Sequence, residues 1–199
     1  MKKYALTIGR QYGSGGLAIA KLLSKSLSIP FYDKTLLQMA AQKSGLEENF
    51  IEKFDEDKNF LTATMFSDVF NSSPILYDSL FKIQSNIIRQ LAKKDSAIFV
   101  GRCADYVLRD FPDCLNIFIY ADEKDKTQRL VSEKSITQKE AQERIHRVDK
   151  DRAKYYGYYT QKIWGAINSY HLCVNSSVLG IDETACFIQY FVEKSLDKN

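Results

Sequence analysis

The sequence lacks paired-cysteine motifs and the ligand spacing of a metal centre. It holds two histidines and four cysteines, Cys103, Cys114, Cys173 and Cys186, with no C-x-x-C pair among them. A structural zinc site needs closely spaced Cys and His ligands, so no metal ligand is proposed and the thiols are expected to be free, buried or half-buried. No apolar run approaches the roughly 20 residues that cross a bilayer, and MKKYALTIG runs straight into a strand-like segment without a cleavage site. A cytoplasmic protein with no membrane partner is expected. Proline is also scarce, at 3 residues, beside 9 glycines in 199, which excludes a disordered or repetitive chain. One-sided charge is missing too: 28 basic residues against 25 acidic leave a net charge of +3. A nucleic-acid surface needs clustered charge with aromatic platforms, so nucleic acid is not an expected partner.

What is present suits one domain with a substantial core, since 45% of the residues are hydrophobic. Tyr4 to Ile8 reads as a short strand. Leu17 to Leu27 carries Ala20, Leu23 and Leu27 at helical spacing, with Ile19 and Leu22 beside them, which predicts a helix with one buried face. Ile29-Pro-Phe-Tyr is held extended by its proline. Asp33 can cap a helix from Lys34 to Lys43, stopped by Gly45, and residues 46–74 are expected to form short helices and loops. A longer helix, from about Ile75 to Lys93, has Leu76, Leu80, Ile83, Ile87 and Leu91 on one stripe and feeds a strand over Ala97 to Gly101.

Leu115 to Tyr120 is another strand, with Asp122 placed to cap the helix after it. Thr137-Gln-Lys-Glu140 is a capping box that opens a charged helix running past Arg152 into YYGYY. A last strand, Leu172 to Asn175, precedes Asp182 and a C-terminal helix whose stripe includes Ala185, Ile188 and Val192. Apolar strands without strict alternation, separated by helices, predict a three-layer α/β domain around a parallel sheet.

Between the first strand and the first helix lies GRQYGSGG. Glycines at 13, 15 and 16 let the backbone turn tightly with N–H groups pointing inward, and the helix start adds its own unpaired donors. Gly13, Ser14, Gly15 and Gly16 therefore read either as a phosphate cradle or as a plain tight turn. A Walker sequence, G-x-x-x-x-G-K-[ST], would add a lysine for the terminal phosphates and a hydroxyl for magnesium. Here Gly16 stands at the lysine position, followed by Leu17 and Ala18. The dinucleotide fingerprint G-x-G-x-x-G fails on spacing.

Phosphoryl transfer asks mainly for positioning and positive charge. The missing lysine could be replaced by Arg10 at the mouth of the turn or by Lys21 one turn into the helix, and Arg10 is preferred because its guanidinium offers several donors just after the strand. Val100-Gly101-Arg102 puts a second arginine at the carboxyl edge of the sheet, where open α/β sheets bind ligands. Arg102 could hold an acceptor phosphate or make an ordinary ion pair. Asp105 could bind substrate or pair with Arg102 or Arg109.

The charged helix offers Arg144, Arg147 and Arg152 as cations of a closing flap, with Asp149 placed to orient Arg152; a solvated helix laced with ion pairs is the alternative. YYGYY could stack on a base, pack the flap on the body, or, with the C-terminal helix, supply a homodimer surface. His146 and His171 support no nucleophilic triad.

LTIGRQYGSGG, IPFYDKTLL, IFVGRCADYVLRDFPDCLNIFIYA, RVDKDRAKYYGYYT and SYHLCVNSSVLGIDETA together resemble the cytidylate kinase-like family, a branch of the nucleoside monophosphate kinases, over nearly the whole chain. The resemblance implies a single P-loop NTPase-type domain over 1–199 with a central parallel five-stranded sheet. It also implies a helical acceptor-binding insert over about 34–90 and a helical lid over about 130–160. Transfer of phosphoryl from ATP, with Mg2+, to CMP, dCMP or a related nucleotide is the implied activity. By position, Gly13 to Gly16 match the phosphate loop, Gly101 and Arg102 a Gly-Arg pair, Asp149 and Arg152 an Asp-x-x-Arg pair of the lid, and Asp33 the start of the acceptor helix. The acceptor-side arginine expected about six residues after Asp33 is Met39, and the usual Pro-Leu after the lid is Tyr155-Tyr156. A nucleotide-binding regulator without turnover is the alternative reading.

Overall fold

A computed structural model describes residues 3–33, 36, 38–39 and 74–197. Five strands, β1 (Ala5–Arg10), β2 (Phe31–Tyr32), β3 (Ala97–Val100), β4 (Cys114–Tyr120) and β5 (Leu172–Asn175), form one sheet in the order β2-β3-β1-β4-β5. Every neighbouring pair is parallel. Six α-helices are described: α1 (Gly16–Ser26), α2 (Pro74–Lys94), α3 (Ala104–Val107), α4 (Glu123–Lys134), α5 (Gln138–Thr160) and α6 (Ser176–Leu196).

The strands lack polar alternation because both faces of the sheet are covered. Leu6, Ile8, Ile98, Val100, Ile117 and Ile119 pack against Ile19, Ala20 and Leu23 of α1 and Ala185, Ile188 and Val192 of α6. Ala5, Ala97 and Phe99 project to the other face, against Ile87, Ile88 and Ala92 of α2, Ala104 and Val107 of α3, and Leu36. A smaller cluster joins Leu130 of α4 to Ala141 and Ile145 of α5, with Tyr12 from the glycine turn packed against it. The three-layer α/β architecture is thus the predicted one.

The capping box at Thr137 is formed in full: Glu140 N–H donates to Thr137 Oγ1 at 3.3 Å and Thr137 N–H donates to Glu140 Oε2 at 2.8 Å. Two expected starts differ. Asp122 occupies the N-cap of α4, but its carboxylate accepts from Asn175 Nδ2 at 2.9 Å instead of capping. The C-terminal helix begins at Ser176, not after Asp182: Asn175 caps it, accepting from Ser177 N–H at 3.0 Å, and a break at Gly180 (φ 77°) separates its first turn from the rest.

The four cysteines are free, and Cys186 is exposed where a half-buried thiol was expected. Among the described residues, no helix is long and apolar enough to cross a membrane. The expected helix from Lys34 to Lys43 lies mostly outside the described residues, as does the region 46–74; residues 36, 38 and 39 are helical.

Phe99 is fully buried at the centre of this arrangement and stacks on Tyr32 with ring centroids 5.7 Å apart. Phe99→Ala is expected to cost about 3–5 kcal/mol, which a thermal melt would register as a fall of roughly 10 °C in Tm.

Candidate functional site

The strand order places the carboxyl ends of β1 and β3 side by side, with the chain leaving β1 into α1 on one face and β3 into α3 on the other. Such a reversal opens a crevice in an open α/β sheet. The glycine turn sits on it. Gly13 and Gly15 both have φ near 75°, a left-handed conformation that a side chain resists. The first bond of α1 runs from Ile19 N–H to Gly15 O at 3.0 Å, so the N–H groups of Gly15 to Ala18 have no acceptor within the helix. Those donors and the helix dipole make an anion cradle.

Ser14 shapes the turn and is not held out to a ligand. It is completely buried, its N–H and hydroxyl both donate to Gln11 O, at 3.3 and 2.8 Å, and its own carbonyl accepts from Ser176 Oγ at 2.7 Å.

Arg10 crosses the crevice. A Cβ added to Gly16 would lie 2.6 Å from Arg10 Cβ, and one added to Gly101 would run into the Arg10 guanidinium. At Gly16 the obstacle is the fixed Cβ of Arg10, so no side chain fits at the Walker lysine position without a shift; at Gly101 the guanidinium could move aside, and the φ of 73° is what resists a side chain. Lys21, the other candidate replacement, is exposed on α1.

Beside Gly101 comes Arg102, half-buried and itself left-handed at φ 58°. Among the described residues it makes no hydrogen bond or ion pair; its charge is felt by the buried Cys103 and the half-buried Tyr155, which it favours in their ionised forms against the stronger effect of burial.

The charged helix α5 is docked on the turn. Asp149 Oδ1 accepts from Tyr12 N–H at 2.7 Å, and Arg152 Nη1 donates to Arg10 O at 3.0 Å. The Asp149–Arg152 ion pair is long, at 3.9 Å, and both residues hold the turn by shorter bonds. Burial holds the Asp149 carboxyl above its ordinary value, opposed by the Tyr12 N–H and by the charges of Arg152, Lys126 and Arg10. Arg147 points about 140° around the helix from Arg152 and is half-buried. Arg144 has Glu140, one turn earlier, as its described charge partner; the structure does not tie it to the turn.

Asp105 pairs with neither Arg102 nor Arg109. It accepts from the Tyr156 hydroxyl at 2.6 Å, while Arg109 lies beside Asp110 and over the Tyr106 ring. Tyr159 stacks on Phe81 of α2 at 3.8 Å and Tyr155 meets the same ring edge-on. The aromatic end of α5 thus packs on the body of the chain. Asp33 lies just past β2, with its carbonyl accepting from Leu36 N–H at 3.2 Å, and Met39 packs against the Phe99 cluster.

The profile of the Cytidylate kinase-like family matches residues 5–178. The chain belongs to the cytidylate kinase-like family. No curated protein matches it. Among solved structures, an uncharacterized protein from Eubacterium ventriosum is 26% identical, with 96% of this chain and 99% of that one covered and a TM-score of 0.75. A shikimate kinase from Bacteroides thetaiotaomicron (12% identity, 96% and 99% covered, TM-score 0.56) and a gluconokinase from Sinorhizobium meliloti (10%, 98% and 95%, 0.52) share the fold. This cytidylate kinase-like chain therefore has the three-layer P-loop NTPase-type fold, and its family is one of nucleotide-kinase-like phosphotransferases.

Three residues around the turn escape a reading of the sequence. Lys126 of α4 donates to Gln11 Oε1 at 3.3 Å, Arg129 donates to the Gly13 carbonyl, and Ser176 bridges Ser14 O to Tyr120 O. The i, i+3 spacing of Lys126 and Arg129 marks one helix face, but only the fold turns that face toward the glycines.

The cradle fits phosphates. The helix start offers magnesium no side-chain oxygen, because Gly16 stands at the lysine position and Leu17 and Ala18 follow it, and no protein ligand for that ion is assigned.

Reinstating the lysine tests the role of Arg10. Gly16→Lys is expected to destabilise the family member by about 1–3 kcal/mol through overpacking, read as a lower urea midpoint, and the loss should be smaller when Gly16→Lys is made in an Arg10→Gly background, which removes the Cβ that collides. A second expectation concerns pH. Burial raises the Asp105 carboxyl above its usual value of 3.8, with the Tyr156 hydrogen bond opposing. The folded chain then holds that proton more tightly than the unfolded one, so Asp105 costs stability as pH rises through and above the unfolded value. Asp105→Asn should gain in Tm relative to the native chain between about pH 4 and pH 7.

Proposed function

We propose that this chain transfers the terminal phosphoryl group of ATP, supplied with Mg2+, to a nucleoside monophosphate, with CMP or dCMP the first candidates. The observation that carries the reading is Arg102: a half-buried guanidinium with no hydrogen bond or ion pair among the described residues, on the carboxyl edge of the sheet beside the crossing Arg10. A buried-side cation without an anion is unfavourable unless a ligand supplies one. Family membership supplies the reaction class, and the cradle N–H groups of Gly13 to Gly16 supply a seat for the donor phosphates.

The roles of the chain's own residues follow. Arg10 stands between donor and acceptor in place of the Walker lysine, Arg102 holds the acceptor phosphate, and Arg152 lines the mouth of the turn from the lid, positioned with Asp149. Residues 130–160 form the lid and 34–90 the acceptor-binding insert, with Asp33 at its start. Arg144 and Arg147 would join only if lid movement turned them inward. A phosphate acceptor is already an anionic nucleophile, so no general base is needed.

Gly16 and Leu17 favour one alternative, a nucleotide-binding regulator without turnover, because neither supplies what a Walker lysine or hydroxyl does.

Product formation from ATP and Mg2+ against CMP, dCMP, UMP, AMP, GMP and free nucleosides separates the two. The expected result is turnover of one monophosphate that falls roughly 100- to 1000-fold in Arg102→Ala. ATP binding by calorimetry with no product from any acceptor would overturn the kinase reading for this panel in favour of the regulator.

A further inference from the structure

We propose that Lys126, delivered from α4, is the cation that meets the terminal phosphates of the donor, and that Gln11 holds its ammonium in readiness. The inference rests on the phosphate-cradle reading and deepens it.

Lys126 is only 7% exposed, unusual for a lysine outside an ion pair. Its stem and backbone form the wall behind Gly13: a Cβ built on that glycine would lie 3.1 Å from both the Cβ and the carbonyl oxygen of Lys126. The ammonium has three donors, and among the described residues it uses one, to Gln11 Oε1 at 3.3 Å. That acceptor is a neutral amide already shared with Ala121 N–H, also at 3.3 Å. The Asp149 carboxylate feels the Lys126 charge but makes no hydrogen bond or ion pair with it; it accepts from Tyr12 N–H at 2.7 Å and is flanked by Arg152. Lys126 thus stands against the turn at Gly13, and Arg10 at Gly16.

A buried ammonium with one long bond to a neutral oxygen is poorly compensated. An anion seated on the N–H groups of Gly15 to Ala18 would supply the missing acceptors. A flexible four-carbon stem lets the ammonium shift from Gln11 to a phosphate oxygen without moving α4. The Walker lysine rises from the turn itself; here a neighbouring helix would add its charge to that of Arg10, whose stem is what keeps position 16 a glycine.

The test is calorimetry of inorganic tripolyphosphate binding to the full chain at low salt, with thermal melts of every variant. Lys126→Met should bind tripolyphosphate at least ten-fold more weakly while Lys126→Arg stays within a few-fold of the native chain. Gln11→Glu leaves the lysine in place but traps it in an ion pair; it should weaken tripolyphosphate binding without lowering Tm, and it decides the matter if Lys126→Met does not fold. Equal binding by native chain and Gln11→Glu, or by native chain and a folded Lys126→Met, overturns the role of Lys126 alone. A native chain that does not bind tripolyphosphate overturns this inference together with the cradle reading.

Discussion

The Arg10 side chain is the constraint around which the carboxyl edge of the sheet is organised. It leaves β1, passes over Gly16 at the start of α1, and ends on Gly101 at the end of β3. Two elements that are far apart in sequence thereby meet one side chain, α1 at its Cβ and Cγ and the end of β3 at its guanidinium. Its backbone carbonyl is the acceptor for Arg152, so a third element, α5, is referenced to the same residue. A P-loop fold ordinarily grows its cation from the turn; this chain lays an arginine across the turn and removes whatever would collide with it.

The helix α5 carries three separate connections along its length. Its first turns pack on α4 through Ala141 and Ile145, its middle grips the glycine turn through Asp149 and Arg152, and its end rests on α3 and α2 through Tyr156 and Tyr159. One helix of 23 residues thus spans all three contacts. The part-buried Asp105–Tyr156 bond, at 2.6 Å, anchors the far end. The tyrosines that replace Pro-Leu are what make the far anchor.

The architecture was legible in the sequence where a local rule governs. The strands at β1, β3, β4 and β5 showed as apolar runs because both faces of a parallel sheet are covered, and the Thr137–Glu140 capping box depends only on residues within one turn. Glycines 13, 15, 16 and 101 marked the crevice for the same reason, since a positive φ or a close approach leaves few alternatives. Local rules misled where a distant partner outbid a near one: Asn175 claims the Asp122 carboxylate from its own helix end, and Tyr156 claims Asp105 from the arginines beside it.

The sequence by itself determined the fold class, the place of the glycine turn and the absence of the Walker lysine, because backbone geometry and hydrophobic spacing are written in neighbouring residues. Only the tertiary structure decided which charges surround that turn. Lys126, Arg129, Asp149, Arg152 and Ser176 lie more than 100 residues from it along the chain. Their approach depends on sheet order and on which face each helix presents, quantities that arise from packing the whole domain.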